Sequence, residues 1–229
     1  MRYDMILWDV DGTLLNFRYS QKLSLESCLT EIGVAATEEM VTAYDKINEG
    51  WWQRLERGEV TKKQLLKGRF LDFFQMYGIA CQDVEHFLNR YETNLGEIFT
   101  YQEDSLEICK ELYGKCRQSV VTNGVTAPQL NKLKRSGFLP LMEKVFISEQ
   151  LGAPKPQSAF FDRVFEELPD IERERTLIVG DSLSSDMRGG ENAGIATCWY
   201  NPEGLPNQTG IRIDHEIRSL REVIRIVEG

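Results

Sequence analysis

Five short apolar segments, most of them ending in polar residues, constrain the fold of this chain more than any other feature. They lie at Tyr3–Val10, Ser119–Thr122, Val145–Ser148, Leu177–Gly180 and Ile195–Trp199. Continuous apolar runs of this kind are typical of strands that are buried on both faces of a parallel sheet. Each run but the last is followed by a helical pattern, and alternating strands and helices form right-handed βαβ units. We therefore predict an α/β fold with a doubly wound, Rossmann-like parallel sheet.

The spacing of the first two strands indicates an inserted helical bundle. Roughly 110 residues separate them, where one βαβ unit needs about 30, so about 80 residues are left over. Apolar residues in this stretch recur every three or four positions, which is the period of a helix. The two clearest stripes are Met40, Tyr44, Ile47, Trp51 and Leu55, and then Leu66, Phe70, Phe73 and Tyr77. Thr61 and Gln64 have the spacing of a capping box.

Two further helical patterns, at Gln21–Ile32 and Val84–Leu95, complete a predicted bundle of antiparallel helices. We therefore expect a core domain made of residues 1–15 and 97–229. The inserted helical domain is expected at residues 16–96.

Charge and cysteine content exclude several classes of protein. The chain has 27 Lys and Arg against 36 Asp and Glu, and this net charge of −9 repels duplex nucleic acid. No apolar run of about 18 residues could span a membrane, and the N-terminus lacks the pattern of a signal peptide. Five cysteines without a C-x-x-C pair, and two histidines, predict neither a disulfide framework nor a zinc site. We expect a cytoplasmic protein without a membrane partner.

The first strand ends in the motif Asp9-Val10-Asp11-Gly12-Thr13. Residues two apart in an extended chain point to the same side, so the two carboxylates share one side before Gly12 permits a sharp turn. An ordinary Asp-Gly turn at the end of a strand has the same appearance. A calcium-binding EF-hand loop is excluded, because Leu14 and Ser20 occupy the places of its required Gly and Glu.

Three other strands are followed by residues of matching chemistry. Thr122-Asn123-Gly124 ends the second strand, and residues 126–128 indicate a helix start whose N–H groups could hold an anion. Lys155 lies between two prolines that restrict its backbone, although an exposed loop lysine would look the same. Asp181 ends a further strand and Asp186 follows five residues later, but either could be a helix cap.

The strand ends are expected to meet, because ligands of a doubly wound sheet bind at the carboxyl edge where the strand order reverses. The residues expected there are Asp9, Asp11, Thr122, Lys155, Asp181 and Asp186. Two like charges 4 Å apart repel by about 4 kcal/mol at an effective dielectric near 20, so four carboxylates beside one lysine require a cation. Oxygen ligands without His or Cys favour Mg²⁺. A carboxylate nucleophile with a second acid nearby indicates phosphoryl transfer.

Taken in order, these four motifs resemble those of the haloacid dehalogenase-like (HAD) phosphatases, and the inserted helices lie where that superfamily has its type 1 helical cap. The resemblance implies a Mg²⁺-dependent phosphomonoesterase that forms an aspartyl-phosphate intermediate. It implies that Asp9 is the nucleophile and that Asp11 is the general acid/base, with its backbone carbonyl on the metal. Lys155 is implied to steady the nucleophile and the phosphate.

The same resemblance implies the binding residues of the core. Thr122 and Asn123 are expected to contact the phosphate. The implied metal ligands are Asp9, Asp11, Asp181 and Asp186.

A finer similarity concerns Trp8–Leu14, the segment Gly190–Trp199 and part of the insertion. The inserted residues involved are Trp52, Gly58, Gln64, Gly68, Arg69 and Phe70. Together they resemble the YjjG-like branch of pyrimidine 5′-nucleotidases, whose members release phosphate from pyrimidine nucleoside monophosphates. We therefore expect Trp52 and Arg69 to bind substrate, with Trp52 stacking on the base. Trp51 falls on the apolar stripe and is expected in the core of the bundle.

Two other functions fit the sequence. A sugar-phosphate phosphatase or phosphomutase of the same superfamily would share every core residue and differ only in its cap. A non-catalytic module that binds a phosphorylated ligand is the remoter alternative. The sequence leaves the oligomeric state open.

Overall fold

A computed structural model describes all 229 residues of the chain and contains one six-stranded parallel sheet. The strands are β1 (Met5–Trp8), β2 (Arg117–Thr122), β3 (Val145–Ile147), β4 (Thr176–Gly180), β5 (Ala196–Tyr200) and β6 (His215–Ile217). Their order is β3-β2-β1-β4-β5-β6, so the order reverses at β1, which pairs with β2 on one side and β4 on the other. The α/β class and the parallel sheet are confirmed. The sixth strand was not predicted, because three residues are too few to show a period.

Ten helices accompany the sheet. They are α1 (Phe17–Glu31), α2 (Glu38–Glu56), α3 (Lys62–Tyr77), α4 (Val84–Glu97), α5 (Ser105–Leu112), α6 (Thr126–Arg135), α7 (Ser148–Leu151), α8 (Ser158–Glu166), α9 (Arg188–Ala193) and α10 (Glu222–Glu228). A π-helical turn at Leu183–Met187 precedes α9. No helix combines the length and the apolar character needed to cross a membrane.

The chain divides into two compact units. The sheet unit comprises Met1–Phe17 and Phe99–Gly229, and the helical unit comprises Arg18–Ile98. The boundaries expected from the sequence, after residues 15 and 96, lie two residues before those of the structure. Within the sheet unit, the segments next to these two boundaries are hydrogen-bonded to each other: the Asn16 N–H donates to the Thr100 carbonyl over 3.0 Å.

The sheet is buried on both faces, as its apolar strands require. Along β1, Ile6 and Trp8 belong to the apolar cluster on one face, whereas Met5 and Leu7 belong to the cluster on the other. Side chains alternate between the faces of a strand, so a strand that packs on both sides needs an unbroken apolar run. The apolar run stops at Asp9, directly after the carboxyl end of β1.

The helical unit has a core of aromatic rings contributed by α2, α3 and α4. The rings of Tyr44 and Phe70 are stacked at 5.3 Å, and Phe87 and Tyr91 meet Phe70 edge to face. The predicted capping box at the start of α3 is confirmed, with the Thr61 side chain and the Gln64 side chain each bonded to the other residue's backbone. Local sequence thus fixes where this helix begins.

Candidate active site

Lys155 stands at the centre of a group of acidic residues at the carboxyl edge of the sheet. Its ammonium donates to Asp9 Oδ1 at 2.7 Å, to Asp186 Oδ1 at 2.6 Å and to the Val121 carbonyl at 2.9 Å. These three bonds use all three protons of the ammonium, which is only 1% exposed. Burial alone would lower the pKa of Lys155, but the carboxylates of Asp186 and Asp9 outweigh it and raise the pKa. Lys155 is therefore a fixed positive charge.

Asp9 continues directly from β1. Its backbone N–H donates to the Val179 carbonyl of β4 over 2.9 Å, which extends the pairing of the two strands by one residue. The sheet thereby holds the backbone of Asp9 rigidly. Burial raises the pKa of this carboxyl group to about 7, with Lys155 opposing the shift and Asp186 reinforcing it.

Asp181 and Asp186 complete a carboxylate cluster with Asp9. One carboxylate oxygen of each of the three residues lies within 4.8 Å of the others. The Ser182 N–H donates to Asp186 Oδ2 over 3.2 Å, and Asp186 is buried, whereas Asp181 is open to solvent. Although the residue as a whole is exposed, its carboxyl group lies against Gly12 and beside the carboxylates of Asp9 and Asp186. Desolvation of this group, followed by the charges of Asp9 and Asp186, raises the pKa of Asp181 well above its ordinary value.

Gly12 has a specific role beside this cluster. Its φ of 92° lies in the left-handed region, and a Cβ at this position would collide with the carboxylate of Asp181. A side chain would therefore be strained and would also displace an acidic group. The glycine of the first motif is required by the turn and by the close approach of the loop that carries Asp181.

The carboxylate cluster fits a hard divalent cation. Its ligand atoms are all oxygens, three carboxylates face a single lysine, and no His or Cys belongs to the group. Two of the carboxyl groups have raised pKa values, which means that the protein without a cation disfavours their charged forms. A cation such as Mg²⁺ would offset this charge.

Thr122 and Asn123 lie at the end of β2, and the Asn123 side chain is hydrogen-bonded to the backbone of Lys155. The Lys155 N–H donates to Asn123 Oδ1 over 2.8 Å, and Asn123 Nδ2 donates to the Lys155 carbonyl over 2.9 Å. This pair of bonds fastens the loop that carries Lys155. The Thr122 hydroxyl is buried and accepts a bond of 3.0 Å from the Gly124 N–H.

The start of α6 holds an anion, but one from the protein itself. The Thr126 N–H donates to Glu149 Oε2 over 2.9 Å, and the Thr126 hydroxyl donates to the same oxygen over 2.6 Å. A carboxylate at a helix N-terminus is stabilised by the unpaired N–H groups there. The sequence correctly indicated a helix start that attracts negative charge, and the structure places Glu149 there.

Asp11 is directed toward α6. Gln129 Nε2 donates to Asp11 Oδ2 over 2.6 Å, and the Lys132 ammonium forms an ion pair with Oδ1. Sequence reasoning missed Gln129 and Lys132. The signal available was a pair of long polar residues three positions apart next to Pro128 and Leu133, which lie on the buried face of α6.

Within the helical unit, Arg69 is not placed as the sequence predicted. It is 1% exposed, bonded through Nη1 to Asn48 Oδ1 at 3.0 Å and ion-paired with Glu92. Its guanidinium also lies 5.1 Å from the centre of the Tyr91 ring. Because every one of these contacts belongs to the core of the bundle, the structure does not support a substrate role for Arg69.

The two tryptophans of α2 differ in their contacts. Trp51 is half-buried, donates from Nε1 to Asp72 over 2.8 Å and has the Arg54 guanidinium 4.3 Å from its ring centre. Trp52 is half-buried and packs against the apolar cluster of Leu55, Val60 and Leu65, to which Trp51 also contributes. Trp51 is therefore less buried than its place on the apolar stripe suggested.

The fold and the acidic edge of the sheet agree with a known enzyme family. Residues 6–200 match the haloacid dehalogenase-like hydrolases, and the chain belongs to that family.

Two relatives match along nearly their whole length. The pyrimidine 5′-nucleotidase PynA of Streptococcus pneumoniae (strain ATCC BAA-255 / R6) is 35% identical over 98% of this chain and 94% of its own. The pyrimidine 5′-nucleotidase YjjG of Escherichia coli (strain K12) is 30% identical over 99% of both chains. Among solved structures, the HAD-hydrolase YfnB of Bacillus subtilis, crystallised with magnesium, superimposes with a TM-score of 0.94 at 34% identity over 100% of both chains.

Proposed function

We propose that this protein is a Mg²⁺-dependent phosphomonoesterase that acts through a phosphorylated Asp9, with pyrimidine nucleoside 5′-monophosphates as its substrates. The observation that carries the proposal is the geometry of Asp9. Its carboxylate is fixed by Lys155 at 2.7 Å and lies in a cluster with the carboxylates of Asp181 and Asp186. An oriented carboxylate beside a fixed cation and a candidate metal site has what phosphoryl transfer requires.

In this mechanism the Asp9 carboxylate attacks phosphorus and the ester P–O bond breaks. The electron pair of that bond goes to the leaving oxygen, which takes a proton from the Asp11 carboxyl group. A water molecule then attacks the phosphoryl group and gives a proton to Asp11. The bond between Asp9 and phosphorus breaks, so that phosphate is released and the Asp9 carboxylate is restored. Lys155 keeps Asp9 oriented throughout and balances negative charge on the transferring group.

The carboxylates of Asp9, Asp181 and Asp186, with the backbone carbonyl of Asp11, are the proposed metal ligands. When bound there, Mg²⁺ supplies positive charge that offsets the negative oxygens of the phosphoryl group. The buried hydroxyl of Thr122 is proposed to contact the phosphate. Asn123 is proposed to contribute by fixing the Lys155 loop, to which it makes two bonds of 2.8 and 2.9 Å.

The substrate class is supported by the two relatives named as pyrimidine 5′-nucleotidases, because both match over the sheet unit and the helical unit alike. We propose that the sheet unit performs the chemistry and that the helical unit is the cap that selects the leaving group. A cytoplasmic location is also proposed, supported by five cysteines that are all unpaired.

The test is phosphate release from dUMP, dTMP, UMP, several sugar phosphates and p-nitrophenyl phosphate, with Mg²⁺ or with chelator. We expect the pyrimidine nucleotides to lead, and chelator or Asp9→Asn to abolish turnover. Acid-quenched wild-type enzyme should carry one phosphoryl group by intact mass, and Asp9→Asn should carry none. If sugar phosphates lead, the substrate class is wrong and the mechanism stands. If nothing turns over although Mg²⁺ binds, the protein is a binding module.

Trp52 is the proposed base-stacking residue of the cap. Replacing it with alanine should lower kcat/KM for dUMP by about tenfold, since stacking on an aromatic ring contributes about 1–3 kcal/mol per base. Turnover of p-nitrophenyl phosphate, which has no base, should stay within about twofold. Trp51→Ala is the matched control, because Trp51 packs against the same apolar cluster. Equal ratios of the two activities in both variants would assign Trp52 to the core alone.

A further inference from the structure

We propose that Gln129 and Lys132 of α6 are positioning residues for Asp11, an inference that rests on the proposed phosphatase function. The two side chains contact different oxygens of the Asp11 carboxylate. Gln129 Nε2 donates to Oδ2 over 2.6 Å, and the Lys132 ammonium pairs with Oδ1. A carboxyl group whose two oxygens both accept hydrogen bonds has one orientation, so the direction from which it can give or take a proton is fixed as well.

The contacts with Asp11 explain why two polar side chains of α6 are buried here. Lys132 is 5% exposed, and a buried ammonium needs a charged partner, which Asp11 provides. Gln129 is also buried, and its Oε1 has no hydrogen-bond partner. A buried carboxamide with an unsatisfied oxygen lowers stability relative to an apolar side chain of the same shape. The bond from Gln129 Nε2 to Asp11 offsets part of this cost.

Gly124 provides a second, independent observation. A Cβ on Gly124 would collide with the carboxamide of Gln129. The turn that follows β2 therefore leaves space for the Gln129 side chain, which reaches Asp11, a residue 118 positions earlier in the chain. The glycine of the Thr122-Asn123-Gly124 motif thus serves the orientation of Asp11.

The chemistry predicts where the orientation matters. Asp11 gives its proton to the leaving oxygen while the P–O bond breaks and the bond from Asp9 to phosphorus forms. The 5′-oxygen of a nucleoside is a poor leaving group that needs this proton, whereas p-nitrophenolate is stable without it. A misplaced Asp11 should therefore slow the release of a nucleoside far more than the release of p-nitrophenol.

The experiment measures kcat/KM of Lys132→Met and Gln129→Met with p-nitrophenyl phosphate and with dUMP, or with the best alkyl phosphate of the panel. This constant includes only the steps up to release of the leaving group, so later hydrolysis of the phosphoenzyme does not enter it. We expect kcat/KM for the alkyl phosphate to fall by about tenfold to a hundredfold and that for the aryl phosphate by less than about threefold. Lys134→Met, an exposed lysine of the same helix, is the control and should change neither value.

A double-mutant cycle separates positioning from a merely structural role. In the Asp11→Asn background, Lys132→Met should lower kcat/KM by less than about twofold, because the group that it positions is already lost. Equal losses for both substrates, full additivity with Asp11→Asn, or faster turnover of the alkyl phosphate would each overturn the inference. If wild-type protein hydrolyses no phosphomonoester, the proposed function fails and this inference with it. If wild type is active and Asp11→Asn discriminates between the substrates while Lys132→Met does not, only the positioning role fails.

Discussion

At the scale of single residues, the carboxylate cluster depends on Lys155. Its ammonium contacts Asp9 and Asp186 at 2.7 and 2.6 Å; Asp9 directly follows β1, and Asp186 lies in the π-helical turn before α9. Both partners would lose their nearest positive charge if the lysine were removed. An unpaired buried charge is among the most destabilising changes a protein can undergo.

We therefore predict that Lys155→Met, measured in chelator, lowers the free energy of unfolding by about 3–5 kcal/mol. Urea denaturation gives the value directly. Lys110→Met, which removes an exposed lysine paired with Glu107, should change stability by less than about 0.5 kcal/mol. Adding Asp186→Asn to Lys155→Met should recover part of the loss, because one of the two unpaired carboxylates is then neutral. A double variant less stable than the single one would contradict this explanation.

At the scale of elements, the ends of strands and helices position the candidate site and the helices of the insertion. Polar residues end β2 or directly follow β1 and β4, and they meet at one edge because the sheet is parallel and its order reverses at β1. In the helical unit, α2 and α3 both begin with a Thr side chain that accepts a backbone N–H. Such caps satisfy donors that the helix itself leaves unpaired.

For α3 we predict that Thr61→Ala lowers the free energy of unfolding by about 1 kcal/mol, because the N-cap bond and its reciprocal partner in Gln64 are lost. Thr42→Ala is the control: Thr42 lies inside α2, where its hydroxyl donates to the Glu38 carbonyl over 2.9 Å. Alanine favours helix interiors, so this variant should be as stable as wild type or slightly more stable. Equal destabilisation of the two variants in thermal unfolding would show that the cap contributes nothing.

At the scale of the whole molecule, cation binding and stability are coupled through the raised pKa values of Asp9 and Asp181. The unfolded chain releases these protons near pH 3.8, whereas the folded chain retains the proton of Asp9 up to about pH 7. Between these values the folded state binds more protons than the unfolded state, so stability without metal falls as the pH rises. A cation held by the carboxylates removes this loss.

We predict that Mg²⁺ raises Tm more at about pH 7.5 than at about pH 5, in scans compared with chelator. At a free Mg²⁺ concentration about a hundredfold above Kd, the stabilisation should be about 2.7 kcal/mol. Asp181→Asn should lose most of this shift, and in chelator at neutral pH it should be more stable than wild type, because one disfavoured charge is gone. A Mg²⁺-induced shift of equal size at both pH values would contradict the coupling.

Local sequence patterns were enough to predict the class of fold and the acidic character of the carboxyl edge of the sheet. Apolar segments of four to eight residues predict buried strands, periodic stripes predict the helices of the insertion, and the acidic motifs after the strands predict where a cation belongs. These features are local, because each is set by neighbouring residues along the chain. The capping box at Thr61 was predictable for the same reason.

The partners of residues that lie far apart in sequence depend on the packing of the whole chain and could not be predicted from local patterns. Asp11 meets Lys132 across 121 positions of sequence, and this contact depends on the packing of α6 after β2. Arg69, expected to bind substrate, is buried in the bundle, and Trp51, expected in its core, is only half-buried. The rotation of a helix in a bundle is set by all of its neighbours together, so a sequence stripe does not fix it. Glu149 of α7 binds the start of α6 because these two helices follow the neighbouring strands β3 and β2. Periodicity states which face of an element is buried, but the partner on that face is chosen by the packing of the whole chain.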